Sequence, residues 1–306
     1  MPKFVFNRNV LILHLTVLIW GFTGVLGELI TVSALPLVWY RVLIASITLY
    51  LYFKIRKRSL YLPQRQLIQY LLVGALVGLH WVLFFHSIKI STVSVTLVTL
   101  SSITLFTAIL EPIINKKPIS KADIAIGLVI ILGIYLIFTF EMQYKWGIIY
   151  GLLCAFCASI FSIINARMVK KNSPSLITFY EMIGALLMVS LIMGSANGFN
   201  AQLILSASDW LYLLLLGAVC TAVAYVLGVA VMKELSAFTV ALTTNMEPVY
   251  GIVLALLIFG RRETMSTGFY LGAVIVLGAV FLYPYLKRKF STVQRIKSAK
   301  ISSNLS

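Results

Sequence analysis

Ten runs of about 20 mostly apolar residues, separated by short polar connections, fill nearly the whole chain and decide what it can fold into. They lie at about 10–30, 35–53, 66–87, 92–111, 122–140, 146–168, 174–194, 209–232, 237–259 and 266–285. A helix of that length spans the hydrocarbon core of a bilayer, whereas barrel strands would alternate in polarity over about 10 residues, and none does. With 60% hydrophobic and 11% charged residues, the chain is too apolar for a soluble globular domain. The expectation is an all-α integral membrane protein with ten transmembrane helices and the lipid bilayer as its surroundings. Lys3 and Arg8 ahead of the first run resemble a signal peptide, but the run continues to Gly27 without a small-residue cleavage site, which predicts a retained helix.

Charge placement sets an orientation. The net charge of +16 could suggest nucleic acid, yet the 25 Lys and Arg residues sit in short clusters between the apolar runs and in the tail. With the N-terminus inside, only Lys89, Lys145, Arg261 and Arg262 fall outside and Arg41 within a span. That asymmetry follows the positive-inside rule, so no nucleic-acid partner is expected and both termini are expected in the cytoplasm.

The halves of the chain resemble each other. Gly127-Leu-Val-Ile-Ile-Leu-Gly133 matches Gly272-Ala-Val-Ile-Val-Leu-Gly278 at an offset of 145, which also pairs Ser91 with Ser236 and Thr99 with Thr244; an offset of 140 pairs Tyr40 with Tyr180. Five spans per half is an odd number, so the second half enters the membrane from the opposite side. Two inverted five-helix repeats are therefore expected, over 1–140 and 141–285, followed by a basic cytoplasmic tail over 286–306. Inverted repeats belong chiefly to transporters, whose sites lie near the midplane where the repeats meet.

The deep polar residues point to that site. Burying an ionised carboxylate at bilayer depth costs roughly 2.5 kcal/mol or more, so Glu247 in the ninth run is expected to bind a cationic group, to carry a proton, or to pair with a buried donor. Thr239, Thr243, Glu247 and Gly251 recur every four residues and share one helix face. Pro248 removes the donor that would reach the Thr244 carbonyl. Arg41, about six residues and roughly 9 Å into the second run, either snorkels to the headgroups or offers paired donors to a carboxylate. Glu181, about eight residues into the seventh run, is either part of the site or a water-accessible wall. With Trp20, Trp81, Tyr225 and Ser102 of the hydroxyl-rich fourth run, these residues (Glu247, Arg41, Thr243 and Glu181) form the candidate substrate-contact set. His14, His80 and His86 share no face, Cys154, Cys157 and Cys220 lie in apolar runs without a thiolate-stabilising charge, and no catalytic or zinc motif is present. Neither a metal, a cofactor nor an enzymatic activity is expected.

Trp20-Gly21, Pro36 followed by Tyr40-Arg41, Glu247-Pro248 and Gly260-Arg-Arg-Glu263, in this order within ten spans and a two-fold repeat, resemble the EamA family of the drug/metabolite transporter superfamily. The resemblance covers nearly the whole chain. It implies a carrier of the bacterial inner membrane, often an exporter of amino acids, other metabolites or toxic compounds, working by alternating access through a central cavity. The halves depart from symmetry: at the offset of 145, Glu247-Pro248 falls on Ser102-Ile103 and Glu263 on Pro118, and at 140 Arg41 falls on Glu181.

The function expected is a secondary transporter of small metabolites, amino acids or related compounds and cationic drugs among them, acting as an exporter. Proton coupling is one of the roles open to Glu247, and a monomer or a homodimer is expected. A carrier of phosphorylated sugars or nucleotide-sugars would need several buried cations where only Arg41 lies within a span. A non-transporting receptor would bind without flux, and a lipid-acting enzyme would need clustered polar groups near an interface.

Overall fold

The computed structural model describes residues 8–116, 119, 121–196, 198–200, 203–282 and 285. The basic tail over 286–306 lies outside the described residues. The elements are α1 (Arg8–Leu29), α2 (Ala34–Ile55), α3 (Gln64–Ile90), α4 (Val93–Leu100), α5 (Ile103–Ile114), α6 (Lys121–Phe140), α7 (Lys145–Met168), α8 (Pro174–Ser195), α9 (Ala207–Leu214), a wide π-helical turn (Leu215–Val223), α10 (Ala224–Val231), α11 (Ala237–Thr244), α12 (Met246–Phe259) and α13 (Thr267–Leu282). Among the described residues there is no strand, and the helices combine into eight long apolar spans and two shorter apolar helices. Leu72, Leu191, Leu257 and Val274, each more than 60% exposed, belong to an apolar exterior that suits lipid. The fold is an all-α membrane bundle.

Local sequence places the helix starts. Thr92, Ser173, Ser206 and Ser236 each accept a hydrogen bond from the backbone N–H three residues on, the side-chain cap that an N-terminus needs because its first donors have no partner within the helix. Pro174 follows Ser173 at the first helical position, where its missing N–H costs nothing.

The two halves exchange partners. α1 packs on α10 and α12, and α7 packs on α3 and on α4 and α5. α2 packs on the wide turn of the eighth span as α8 packs on α3, while α2 also meets α8, and α5 meets α11. α6 and α13 also meet each other, close to backbone contact at Gly133 and Gly272.

Two spans are interrupted at matching depths. α4 and α11 are both eight residues long and begin 144 residues apart; α4 gives way to α5 at Ser101-Ser102, and α11 to α12 at Asn245. Asn245 joins the interruptions: its Nδ2 donates to Thr104 Oγ1 at 2.6 Å and to Ala241 O at 2.7 Å. The break thus falls before Pro248, which sits in the first turn of α12, where the absent N–H would have lacked a helical partner in any case.

Acidic side chains tie one half to the other. Glu263 accepts from Val93 N at 3.0 Å, Ser94 N at 2.9 Å and Ser94 Oγ at 2.7 Å; Asp209 accepts from Thr31 N and Thr31 Oγ1, both at 2.7 Å. Both sets lie on the face where α1 ends. On the face where α1 begins, here the N face, Glu111 accepts from Phe238 N at 3.1 Å. Glu263 and Glu111 meet the positive ends of α4 and α11, and Asp209 stands in the first turn of its own helix α9. Glu263→Ala strands two buried N–H donors, and the loss of stability is expected to be about 2 kcal/mol or more, read as a lower midpoint of thermal unfolding in detergent.

Candidate functional site

Both halves contribute to one internal cavity of about 80 Å³. Its walls come from α1 (Trp20, Thr23), α2 (Arg41), α3 (His80, Trp81, Phe84), the two helix interruptions (Leu100, Ile103, Thr244, Glu247), α7 (Phe161, Ser162, Asn165) and α10 (Tyr225, Gly228). From Arg41 and Glu247 the lining continues to Asn165, Met232 and Val240, which lie within about a turn of the helix ends at the N face. The opposite face is held by the Glu263 and Asp209 contacts.

Arg41 is buried, and the wide turn in the eighth span serves it. Its Nε donates to Thr221 Oγ1 at 2.6 Å, and Thr221 in turn donates to Leu216 O, five residues back, at 2.7 Å. A regular α-helix would leave that carbonyl to a donor four residues on; the wider turn brings it to Thr221 instead. The guanidinium carbon lies 4.1 Å from the ring centroid of Trp81 and 5.4 Å from that of Phe85, so aromatic faces stabilise the charge. Trp81 also meets Tyr225 edge to face at 5.8 Å. Nη1 of Arg41 has no hydrogen-bond partner.

Glu247 lines the same cavity with 6% of its surface exposed. Among the described residues, no ion pair joins it to Arg41, although both face the one cavity. An acid and a guanidinium with an unsatisfied Nη1, both lining one aromatic-walled cavity, suit a small solute carrying both charges. His80 adds a polar edge: its Nδ1 lies 3.0 Å from Cys154 O and 3.1 Å from Cys154 Sγ.

Of the residues singled out in the sequence, Glu247, Arg41, Trp20, Trp81 and Tyr225 meet at this cavity. Glu181 is fully buried one layer behind it, its Oε2 3.4 Å from Asn165 Nδ2. Thr243 and Ser102 are not among the lining residues: Thr243 Oγ1 donates to Thr239 O at 3.0 Å and Ser102 Oγ to Thr99 O at 2.7 Å, each satisfying its own helix. Asn165, Thr244 and His80 line the cavity although the sequence reading did not place them in the contact set, and Glu111 carries a cap that it missed. For Glu111 a signal existed, since Glu111-Pro112 repeats the dipeptide Glu247-Pro248.

Apolar spans, interrupted helices at the junction of the two halves, and a cavity between those halves with one acid and one guanidinium define a multi-pass membrane protein with a polar internal site. The EamA-like transporter family matches residues 7–139 and again 145–284, and the chain belongs to that family. An uncharacterized transporter of Archaeoglobus fulgidus is 28% identical over 155 residues, which make up 50% of this chain and 53% of that protein; the chain thus spans about half the length of the curated relative it matches. A crystal structure of a protein with 16% sequence identity shares the fold at a TM-score of 0.67, covering 92% of this chain and 99% of its own.

Proposed function

We propose that the chain is a secondary transporter of small zwitterionic metabolites of the amino-acid type, moving them by alternating access between its two repeats. The observation that carries this reading is the unsatisfied Nη1 of Arg41 in a cavity that also holds Glu247. A substrate carboxylate completes the guanidinium's hydrogen bonds, a substrate ammonium neutralises Glu247, and Trp20, Trp81 and Tyr225 take the side chain. Each half of the substrate supplies the charge that its wall lacks, which offsets the cost of burying either ion alone. The five-helix repeats run over 1–140 and 141–285, and helices of both meet at the cavity.

An export direction accords with the same features. Lys and Arg crowd the N face, which supports reading it as the cytoplasmic side of a bacterial inner membrane, with both termini inside. The cavity lining runs toward that face while Glu263 and Asp209 hold the other, so this conformation faces the cytoplasm, the side from which an exporter loads.

Ligand chemistry tests the reading directly. Quenching of tryptophan fluorescence in the purified protein should report a small apolar amino acid, with its methyl ester and its N-acetyl form each binding about 10-fold more weakly or worse, since each lacks one charged hydrogen-bonding partner worth about 1.5 kcal/mol or more. Glu247→Gln should remove the penalty for N-acetylation and leave the penalty for the ester. Equal binding of all three ligands to the wild type would refute the zwitterion site.

A further inference from the structure

Behind the cavity wall stands a carboxyl group to which the transport reading gives no task. Glu181 of α8 is fully buried, and its Oε1 has no hydrogen-bond partner. From α7, Asn165 approaches Oε2 and also donates through Nδ2 to Tyr225 OH of α10 at 3.0 Å, while its own Oδ1 has no partner. From α3, Tyr70 lies within electrostatic reach of Glu181, with its hydroxyl already accepting from Asn172 Nδ2 at 2.6 Å. From α2, Arg41 is turned to Thr221 and Trp81. The titratable groups facing Glu181 are therefore two tyrosines, and among the described residues no cation is paired with it.

Two neighbouring acceptors lack a donor, and a buried carboxylate lacks a countercharge. An ionised Glu181 would worsen both deficits; a neutral carboxylic acid corrects both, because it removes the charge and supplies one O–H. Asn165 and Tyr225 both line the substrate cavity, so the group that holds this proton is joined to the solute site through two side chains.

We propose that Glu181 is the proton carrier of the transport cycle. It is a carboxylic acid in this conformation. When the repeats rock and water reaches it, the Glu181 O–H bond breaks, the electron pair stays on the carboxylate and the proton passes to that water; the return movement restores the acid. Glu247 then holds substrate and Glu181 holds the proton, with Asn165 and Tyr225 between them. The coupling to flux rests on the carrier reading above, whereas the protonation of Glu181 stands on the geometry of its own pocket.

Two measurements on the purified full chain test this. Infrared difference spectra recorded across pH should contain a carboxylic-acid C=O component at neutral pH that is lost in Glu181→Gln and retained in Glu247→Gln. In proteoliposomes, a pH gradient should drive accumulation of a small apolar amino acid, and Glu181→Gln should reduce that accumulation at least 10-fold while leaving exchange of labelled for unlabelled solute within twofold of wild type. Retained exchange also shows that the variant is folded, and Glu181→Asp, which keeps a titratable group, should recover part of the gradient-driven accumulation. The proposal is overturned if the infrared component is absent from the wild type or survives in Glu181→Gln, or if Glu181→Gln accumulates solute as the wild type does. Should no zwitterion bind to the wild type, the carrier reading fails, and the infrared component still decides the state of Glu181.

Discussion

Arg41→Met lowers the affinity for a carboxylate-bearing solute by about 100-fold, the equivalent of about 3 kcal/mol for a lost charge-assisted donor fork, while the protein keeps its fold. The two halves of this expectation have different origins. Affinity falls because Arg41 lines the cavity and its Nη1 has no hydrogen-bond partner in the protein. The fold survives because Arg41 is a buried cation with a single hydrogen bond, to Thr221, and no ion pair among the described residues. Replacing such a group by an apolar side chain of similar length removes a desolvation cost, and Thr221 keeps its own bond to Leu216 O. Arg41→Lys keeps the charge and loses the planar stack on Trp81 and the fork, so a loss of about 10-fold is expected. Titration calorimetry with an amino acid and with its ester separates the outcomes. If Arg41→Met binds both ligands as the wild type does, Arg41 is a structural cation and the carboxylate end of the site lies elsewhere.

Much of this architecture is written in the sequence because a bilayer leaves few alternatives. Apolar runs long enough to cross it must be helices, and an odd number of spans per repeat forces the inversion, so the ten spans could be placed within a few residues. The polar site was harder to read, for a specific reason. The stripe from Thr239 through Thr243 to Glu247 follows a strict step of four, which drifts around a 3.6-residue helix, whereas Val240, Thr244 and Glu247, at steps of four and three, hold one face and line the cavity with Ala241. Proline was the visible helix breaker, yet the break lies ahead of it, where Asn245 bonds across to Thr104. Helix-to-helix hydrogen bonds of that kind have no signature in local sequence. Ser102 fails as a site residue for a related reason: at the matching interruption its hydroxyl is taken up by Thr99 O.

The closest approach of the two halves predicts the largest loss of stability. A Cβ on Gly74 of α3 would fall on the backbone of Glu181, and a Cβ on Gly184 of α8 would fall on the backbone of Leu71. These contacts are reciprocal, and what stands in the way is main chain on both sides, so no side-chain rotation can relieve a substitution. Small residues at a helix interface allow such an approach, and dispersion between the backbones is much of what holds helices together where lipid removes the hydrophobic drive. Gly74→Leu is expected to cost about 3 kcal/mol or more, at the upper end for an overpacked core, and to appear as loss of the monodisperse peak and a strongly lowered unfolding midpoint in detergent. Gly194→Ala is the control, because a Cβ there meets nothing within 4 Å; its effect should stay within about 1 kcal/mol. Gly74→Ala, the milder change, must shift the α8 backbone at Glu181 and so disturb the contact between Glu181 and Asn165. In the surviving protein it should weaken the link between pH and solute binding before it weakens binding itself. A Gly74→Leu variant as stable as the wild type would mean that α3 and α8 stand further apart than their glycines indicate, and the tight seam that places Glu181 behind the cavity would be lost with it.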